Sequence, residues 1–237
     1  MSIREVIFSG PAGKLEGKYF EQEDRTAPVA VVLHPHPLHG GTMNNKVVYN
    51  IFHTFVNNGF SVLRFNFRGV GKSTGAFDHG VGEMTDAAAA LDWLQSQNPE
   101  ASHHWLAGFS FGSWIAFQLL MRRPEISAFA AISPPASSYD FNFLSPCPAQ
   151  GVIIQGTADT VAIEHDVFAL YEKIDKQRNS NVEYIPIEHA DHFYSKHMDK
   201  FIDALDSYVR PRFNMENTSS KSKRDRRRKQ LIPEEND

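Results

Sequence analysis

Residues 105–122 read WLAGFSFGSWIAFQLLMR, and at their centre stands Gly108-Phe109-Ser110-Phe111-Gly112. Ahead of Ser110 lies a short apolar run that reads as a strand, Trp105–Phe109. Behind it, Phe111–Arg122 reads as a helix. A serine between strand and helix, with glycine two residues away on each side, has a physical logic. The chain must reverse direction sharply at the serine, and any side chain at the flanking positions would drive strand and helix apart. The first N–H groups of a helix have no intrahelical acceptor, so the turn also aims free donors at whatever the serine attacks. Ser110 is therefore the candidate nucleophile, with the Phe111 backbone N–H as an oxyanion donor.

Working outward, the flanking segments alternate between strand and helix patterns. Ile3–Phe8 and Lys14–Phe20 read as an opening hairpin around Ser9-Gly10-Pro11-Ala12-Gly13. Val29–Leu33 is a continuous apolar run, as in a strand covered on both faces. Helix Asn45–Asn58, stopped by Gly59, leads to strand Phe60–Phe65. Helix Glu83–Gln97, closed by Asn98-Pro99, leads to the strand before Ser110. Further strands are expected at Ala128–Ile132, Gly151–Gln155 and Val182–Ile187, with helices at Ala162–Lys176 and His192–Val209. This alternation implies a mostly parallel sheet with helices on both faces, and a site at the carboxyl ends of its strands.

A serine on such a turn needs a base and an acid, which in this arrangement follow it in the order acid, then histidine. Asp159 lies in the small-residue turn after strand Gly151–Gln155, an address that suits the acid. Glu164 and Asp166 fall inside the next helix, where they read as partners of its dipole. His192 follows Val182–Ile187 and reads as opening the last helix. His189, three residues earlier, is its rival as base. A neutral imidazole takes the serine proton while the carboxylate fixes its tautomer. The rate should rise with pH across about 5 to 8, and a flat profile contradicts the role.

The loop after Val29–Leu33 runs His34-Pro35-His36-Pro37-Leu38-His39-Gly40-Gly41-Thr42. Proline has no N–H, so Pro35 and Pro37 cannot donate, and His36 is the candidate second oxyanion donor, with Leu38 behind it. His34, His36 and His39 invite a metal reading, but no acid or cysteine accompanies them, and neither a metal nor a cofactor is expected. Arg64, Asn66, Arg68 and Ser73 cluster among Gly69, Gly71 and Gly75. No phosphate-binding fingerprint is present, so the arginines read as structural partners of Asp78, Glu83 or Asp86.

These blocks resemble one another's counterparts in a known family. HPHPLHGGTMNNKVV (34–48), LRFNFRGVGKSTGAFDHGVGE (63–83), GFSFGSWIA (108–116), QGTADTV (155–161) and ADHF (190–193) are similar to the α/β-hydrolase superfamily, in its short, lidless, dienelactone-hydrolase-like group of bacterial hydrolases. The resemblance covers most of residues 1–210. It implies an α/β-hydrolase fold, an eight-stranded sheet with the second strand antiparallel, and the roles given above to Ser110, Asp159 and His192. It carries no substrate.

Only residues 136–149 separate the sixth and seventh strands, too few for a lid domain. An open cleft is expected, with Leu38, Tyr139, Phe141 and Phe143 as candidate substrate-binding residues. The three aromatics equally suit packing of their loop onto the body. Such a cleft fits a small or medium acyl ester. The same triad could serve a peptidase, thioesterase or acyltransferase, and a non-catalytic scaffold is the alternative from another class.

Composition sets the remaining bounds. The 237 residues read as one domain over residues 1–213, followed by a basic tail from Asn214 to Asp237 that is too poor in apolar residues to fold alone. The whole chain carries a formal charge of −4; the tail contributes +2, so the body is acidic and nothing global points to nucleic acid. The run Lys221–Lys229 could touch nucleic acid or an anionic surface, but a solvated tail is the preferred reading. Cys147 is the only cysteine, which excludes an internal disulfide. With no apolar stretch near the ~18 residues of a membrane span and no leader pattern, a cytoplasmic protein with a small-molecule acyl substrate is expected. Oligomeric state is not readable.

Overall fold

The computed structural model describes residues 2–212; the boundary expected near residue 213 and the basic run Lys221–Lys229 lie outside them. Eight strands, β1 (Arg4–Gly10), β2 (Gly13–Phe20), β3 (Val29–Leu33), β4 (Ser61–Phe65), β5 (His104–Phe109), β6 (Ile126–Ile132), β7 (Gln150–Gly156) and β8 (Val182–Ile187), form one sheet. Their order is β1-β2-β4-β3-β5-β6-β7-β8. β2 runs antiparallel to both β1 and β4, and every other pairing is parallel. This is the α/β-hydrolase sheet that the sequence implied, second strand included. Pro186 is confined to β8 at the sheet edge, where a missing ladder donor costs least.

The helices are α1 (Lys46–Asn57), α2 (Val81–Gln97), α3 (Phe111–Leu120), α4 (Glu164–Asp175) and α5 over 198–212. Side chains alternate across each strand, so consecutive residues supply two cores. Val29, Val31 and Leu33 meet α2, α3 and α4 on one face; Ala30 and Val32 meet α1 and α5 on the other. β3, β4 and β5 are buried almost end to end, which is why they read as unbroken apolar runs. Between β6 and β7 only turns occur, with no lid.

Most boundaries shift by no more than two residues, and the last helix departs further. The last helix begins at residue 198, so His192 does not open it but sits in a turn six residues ahead. Tyr194 has φ 53°, a left-handed conformation no helix continues through, and the Asp191 carboxylate accepts the Ser195 N–H at 2.7 Å, closing the turn locally.

Candidate active site

Ser110 has φ 54° and ψ −121°, a strained conformation for a residue with a side chain. The crowding behind it is measurable. A Cβ at position 108 would lie 2.3 Å from the Gly112 carbonyl oxygen; one at position 112 would lie 2.4 Å from that of Leu33. Both flanking glycines are therefore required, and the second also seats the start of α3 on the end of β3. That contact brings the elbow and the histidine-rich loop together. Phe111 is the first residue of α3, so its N–H has no intrahelical acceptor.

Asp159 and His192 meet at the ends of β7 and β8. His192 Nδ1 lies 2.7 Å from Asp159 Oδ2, and both residues are buried. The other carboxylate oxygen accepts the N–H groups of Val161 and Ala162, each at 2.8 Å. Three partners thus hold the carboxylate in one orientation. The two loops are stitched by backbone: Ala158 N–H donates to Ala190 O at 3.0 Å and Thr157 N–H to Ile187 O at 3.0 Å. Behind them Tyr194, fully buried, places its hydroxyl 3.1 Å from Ile154 O and 2.9 Å from Ser133 Oγ. Burial pushes the Tyr194 phenol well above its usual range, so it stays a neutral donor. Tyr194 was not foreseen from the sequence. A tyrosine two residues after a base, within a turn, is the signal that was there to read.

His192 packs on Phe109, ring centroids 4.9 Å apart, and Phe109 adjoins Ser110 in the chain. No hydrogen bond joins the Ser110 hydroxyl to the imidazole in this structure. Such contacts often tighten only when substrate is bound. His189, the rival base, turns its side chain to solvent, with Nε2 3.8 Å from Glu188. Glu164 accepts the Tyr184 hydroxyl at 2.9 Å, and Asp166 lies in the first turn of α4.

On the opposite flank, Pro37–His39 forms a single tight turn. The His36 ring lies 5.0 Å from that of Phe111 and 4.3 Å from that of His39. Its Nδ1 accepts the Leu38 N–H at 3.2 Å, so the Leu38 amide is engaged within the loop. The Leu38 side chain is exposed. Burial, then the neighbouring His39 and His79, push the His36 imidazole below its ordinary value. Both His34 nitrogens have protein partners, described below, and among the described residues no three His, Cys, Asp or Glu side chains gather as a metal set.

The remaining expectations divide. Tyr139 lies tilted against Trp114, 4.4 Å between centroids, and meets the edge of Phe111, the residue after Ser110, at 5.9 Å. Phe141 is buried and packs edge-on against Phe117, with Phe143 stacked behind it, which is the packing alternative for this loop. Arg68 grips Asp86 through Nε and a terminal nitrogen, at 2.9 and 2.8 Å, with Asp78 at 3.8 Å. Glu83 instead accepts the Asp78 and Gly80 amides ahead of α2. Among the described residues Arg64 has no carboxylate partner. It donates to Met43 O at 2.7 Å and lies over the rings of Tyr49 and Phe52. The physical reason is strand alternation: Arg64 shares its face with Val62, toward α1, whereas Asp86 belongs to α2 on the other side.

Residues 21–147, just over half the chain, match the family model described as X-Pro dipeptidyl-peptidase (S15 family). An uncharacterised protein of Rickettsia prowazekii (strain Madrid E) is 51% identical over 209 residues, 86% of this chain and 88% of that one. Among solved structures, a protein of unknown function from Agrobacterium tumefaciens, described as a candidate α/β-hydrolase, is 51% identical with a TM-score of 0.87, covering 89% of this chain and 97% of that one. A lidless α/β serine hydrolase from Xanthomonas campestris is 34% identical with a TM-score of 0.79, covering 89% and 95%.

Proposed function

This chain belongs to the α/β-hydrolase superfamily and within it to the family described as X-Pro dipeptidyl-peptidase (S15), and from that premise we propose that it is a carboxylesterase-like serine hydrolase acting through Ser110, His192 and Asp159. The observation that carries the proposal is the 2.7 Å Asp159–His192 pair, whose imidazole packs on Phe109, the residue before a serine held at positive φ between two obligatory glycines.

The steps follow from these groups. Ser110 Oγ bonds to the carbonyl carbon of the substrate while its proton passes to His192 Nε2. The carbonyl π pair moves onto oxygen, where the Phe111 and His36 amides receive it. Asp159, charged and fixed, stabilises the imidazolium. Collapse of the tetrahedral adduct breaks the bond to the leaving alcohol, which takes the proton from His192. Water, deprotonated by the same imidazole, then releases the acid and restores Ser110. No cofactor enters these steps. With no lid between β6 and β7 and Tyr139 against Phe111, a small or medium acyl group is the substrate that fits.

A second reading, hydrolysis of a peptide bond, draws support from the family description alone. That match ends at residue 147, before both Asp159 and His192. The test is a panel of short-chain aryl esters, acyl thioesters and Xaa-Pro anilides, run on the full chain and on Ser110→Ala. Ester turnover that disappears in the variant is expected. Turnover of the Xaa-Pro anilide alone would replace the ester reading with the peptidase one, and ester turnover retained by Ser110→Ala would remove the nucleophile.

A further inference from the structure

A buried histidine must find a partner for each ring nitrogen, and at the end of β3 the partners of His34 are informative. The residue is fully buried. Its Nε2 lies 3.0 Å from the Phe67 backbone nitrogen, and an N–H can only be met there by a lone pair. Nε2 is thus the acceptor, and the proton of the neutral ring sits on Nδ1. That nitrogen lies 2.6 Å from the Pro35 carbonyl oxygen, to which it donates. Burial holds the imidazole down to about 4, so the ring is neutral, in this one tautomer, throughout the neutral range.

The carbonyl that His34 grips belongs to the peptide whose nitrogen is that of His36. Peptide groups are planar, and in a trans peptide the C=O and N–H point in opposite directions. Fixing the Pro35 oxygen on one side therefore aims the His36 N–H to the other. The next peptide is pinned as well, since the His36 carbonyl accepts the N–H groups of His39 and Gly41, both at 3.1 Å. His36 is suspended between two locked planes. Gly41 lies so close that a Cβ there would sit 2.1 Å from the Pro35 oxygen, so only glycine lets the loop close over that carbonyl. The far end of the loop is clasped by the same strand-loop segment that supplies Phe67: Asn66 Oδ1 accepts the Met43 N–H and Arg64 donates to the Met43 carbonyl, each at 2.7 Å.

We propose that His34 is a positioning residue for the oxyanion site: by donating from Nδ1 to the Pro35 carbonyl it holds the Pro35–His36 peptide so that the His36 N–H faces the carbonyl oxygen attacked by Ser110. The inference rests on the acyl-transfer reading above. It gives the two most distinctive sequence blocks, residues 34–48 and 63–83, one shared task, which is to present a single amide.

Two isosteric variants separate the two bonds of His34. Asparagine places its amide nitrogen where Nδ1 stands and keeps the donor to Pro35. Glutamine reaches the Nε2 position and keeps only the partner of Phe67. In the full chain, turning over a short-chain aryl ester, His34→Asn should hold kcat within about threefold of the parent, whereas His34→Gln should lose about 100- to 1000-fold in kcat, the range for one oxyanion donor, with KM little changed. A structural role alone would lower both variants together, in proportion to their thermal midpoints, and that result overturns the proposal. So does an undiminished kcat in His34→Gln. Should the glutamine variant not fold, nitrogen NMR of the parent protein decides independently of activity: His34 must show a protonated Nδ1 and a bare Nε2, and the opposite tautomer refutes the assignment. If the parent neither hydrolyses esters nor reacts with a fluorophosphonate, the acyl-transfer reading itself fails and this inference falls with it; if it does both and the variants do not separate, only the role of His34 fails.

Discussion

His34 and His192 stand in loops at the carboxyl ends of strands in the same sheet, and the two loops that carry them are built on opposite plans. The His192 loop gives its imidazole one charged partner, Asp159 at 2.7 Å through Nδ1, and among the described residues no hydrogen-bond partner at Nε2. The loop that begins at His34 gives its imidazole two backbone partners, one per nitrogen, and complete burial. A carboxylate and a free nitrogen make a base; two peptide groups and full burial make a bracket. The residue type is the same, so the chemistry is decided by what surrounds the ring.

The largest effect should come from removing the charge that distinguishes the base. Asp159→Asn keeps the shape but can leave His192 in the wrong tautomer, and kcat should fall about ten-thousand-fold with folding intact. A loss under tenfold, read in the same ester assay with circular dichroism as control, would mean that Asp159 does not orient the base.

The buried histidine should declare itself through stability. Above its ordinary value of 6.5 the ring is neutral in folded and unfolded chains alike and adds no pH dependence. Below that value the unfolded chain takes up the proton, while the folded chain resists until about 4. Stability should therefore fall as pH drops through this window, by on the order of 3 kcal/mol in full. Denaturant midpoints across the window test it, and His34→Asn should flatten the slope. An unchanged slope in that variant would assign the acid sensitivity to other groups, such as His53 or His104, which burial also holds below the ordinary value.

Tyr194 anchors the base loop through the Ile154 carbonyl and Ser133. Tyr194→Phe strips those bonds and leaves Ile154 O with the Ser133 N–H alone, at a cost of about 1–2 kcal/mol. The thermal midpoint should fall and kcat should drop a few-fold. Full stability in the variant would show that backbone stitching alone holds the turn. The smallest effect is expected at His189, whose side chain is 84% exposed. His189→Ala should change stability by less than about 0.5 kcal/mol and leave the rate unaltered. A large loss of rate there would exchange the roles of the two histidines.

Much of this was legible beforehand because some residues have only one use in their context. Two glycines astride Ser110 force strand and helix together, and the chain order of acid and base follows the fold. The start of α5 was hidden, since the apolar spacing after His192 already looks helical and the break comes from Tyr194 at φ 53° and the Asp191 side chain. Arg64 was misassigned to an ion pair although its alternation with Val62 put it on the α1 face. Phe141 was equally open between rim and core, because an aromatic in a Pro-flanked loop fits both and only tertiary packing decides. His34 was seen as one of three histidines; that the end of a fully buried strand demands a partner for each nitrogen was the unused signal.

The central claim is that Ser110 is an armed nucleophile. The direct measurement is reaction of the full chain with a fluorophosphonate, followed by mass spectrometry of the modified peptide. The account predicts one adduct, on Ser110, absent from Ser110→Ala and strongly slowed in Asp159→Asn. A folded protein that takes no label, or an adduct on any other residue, would contradict it.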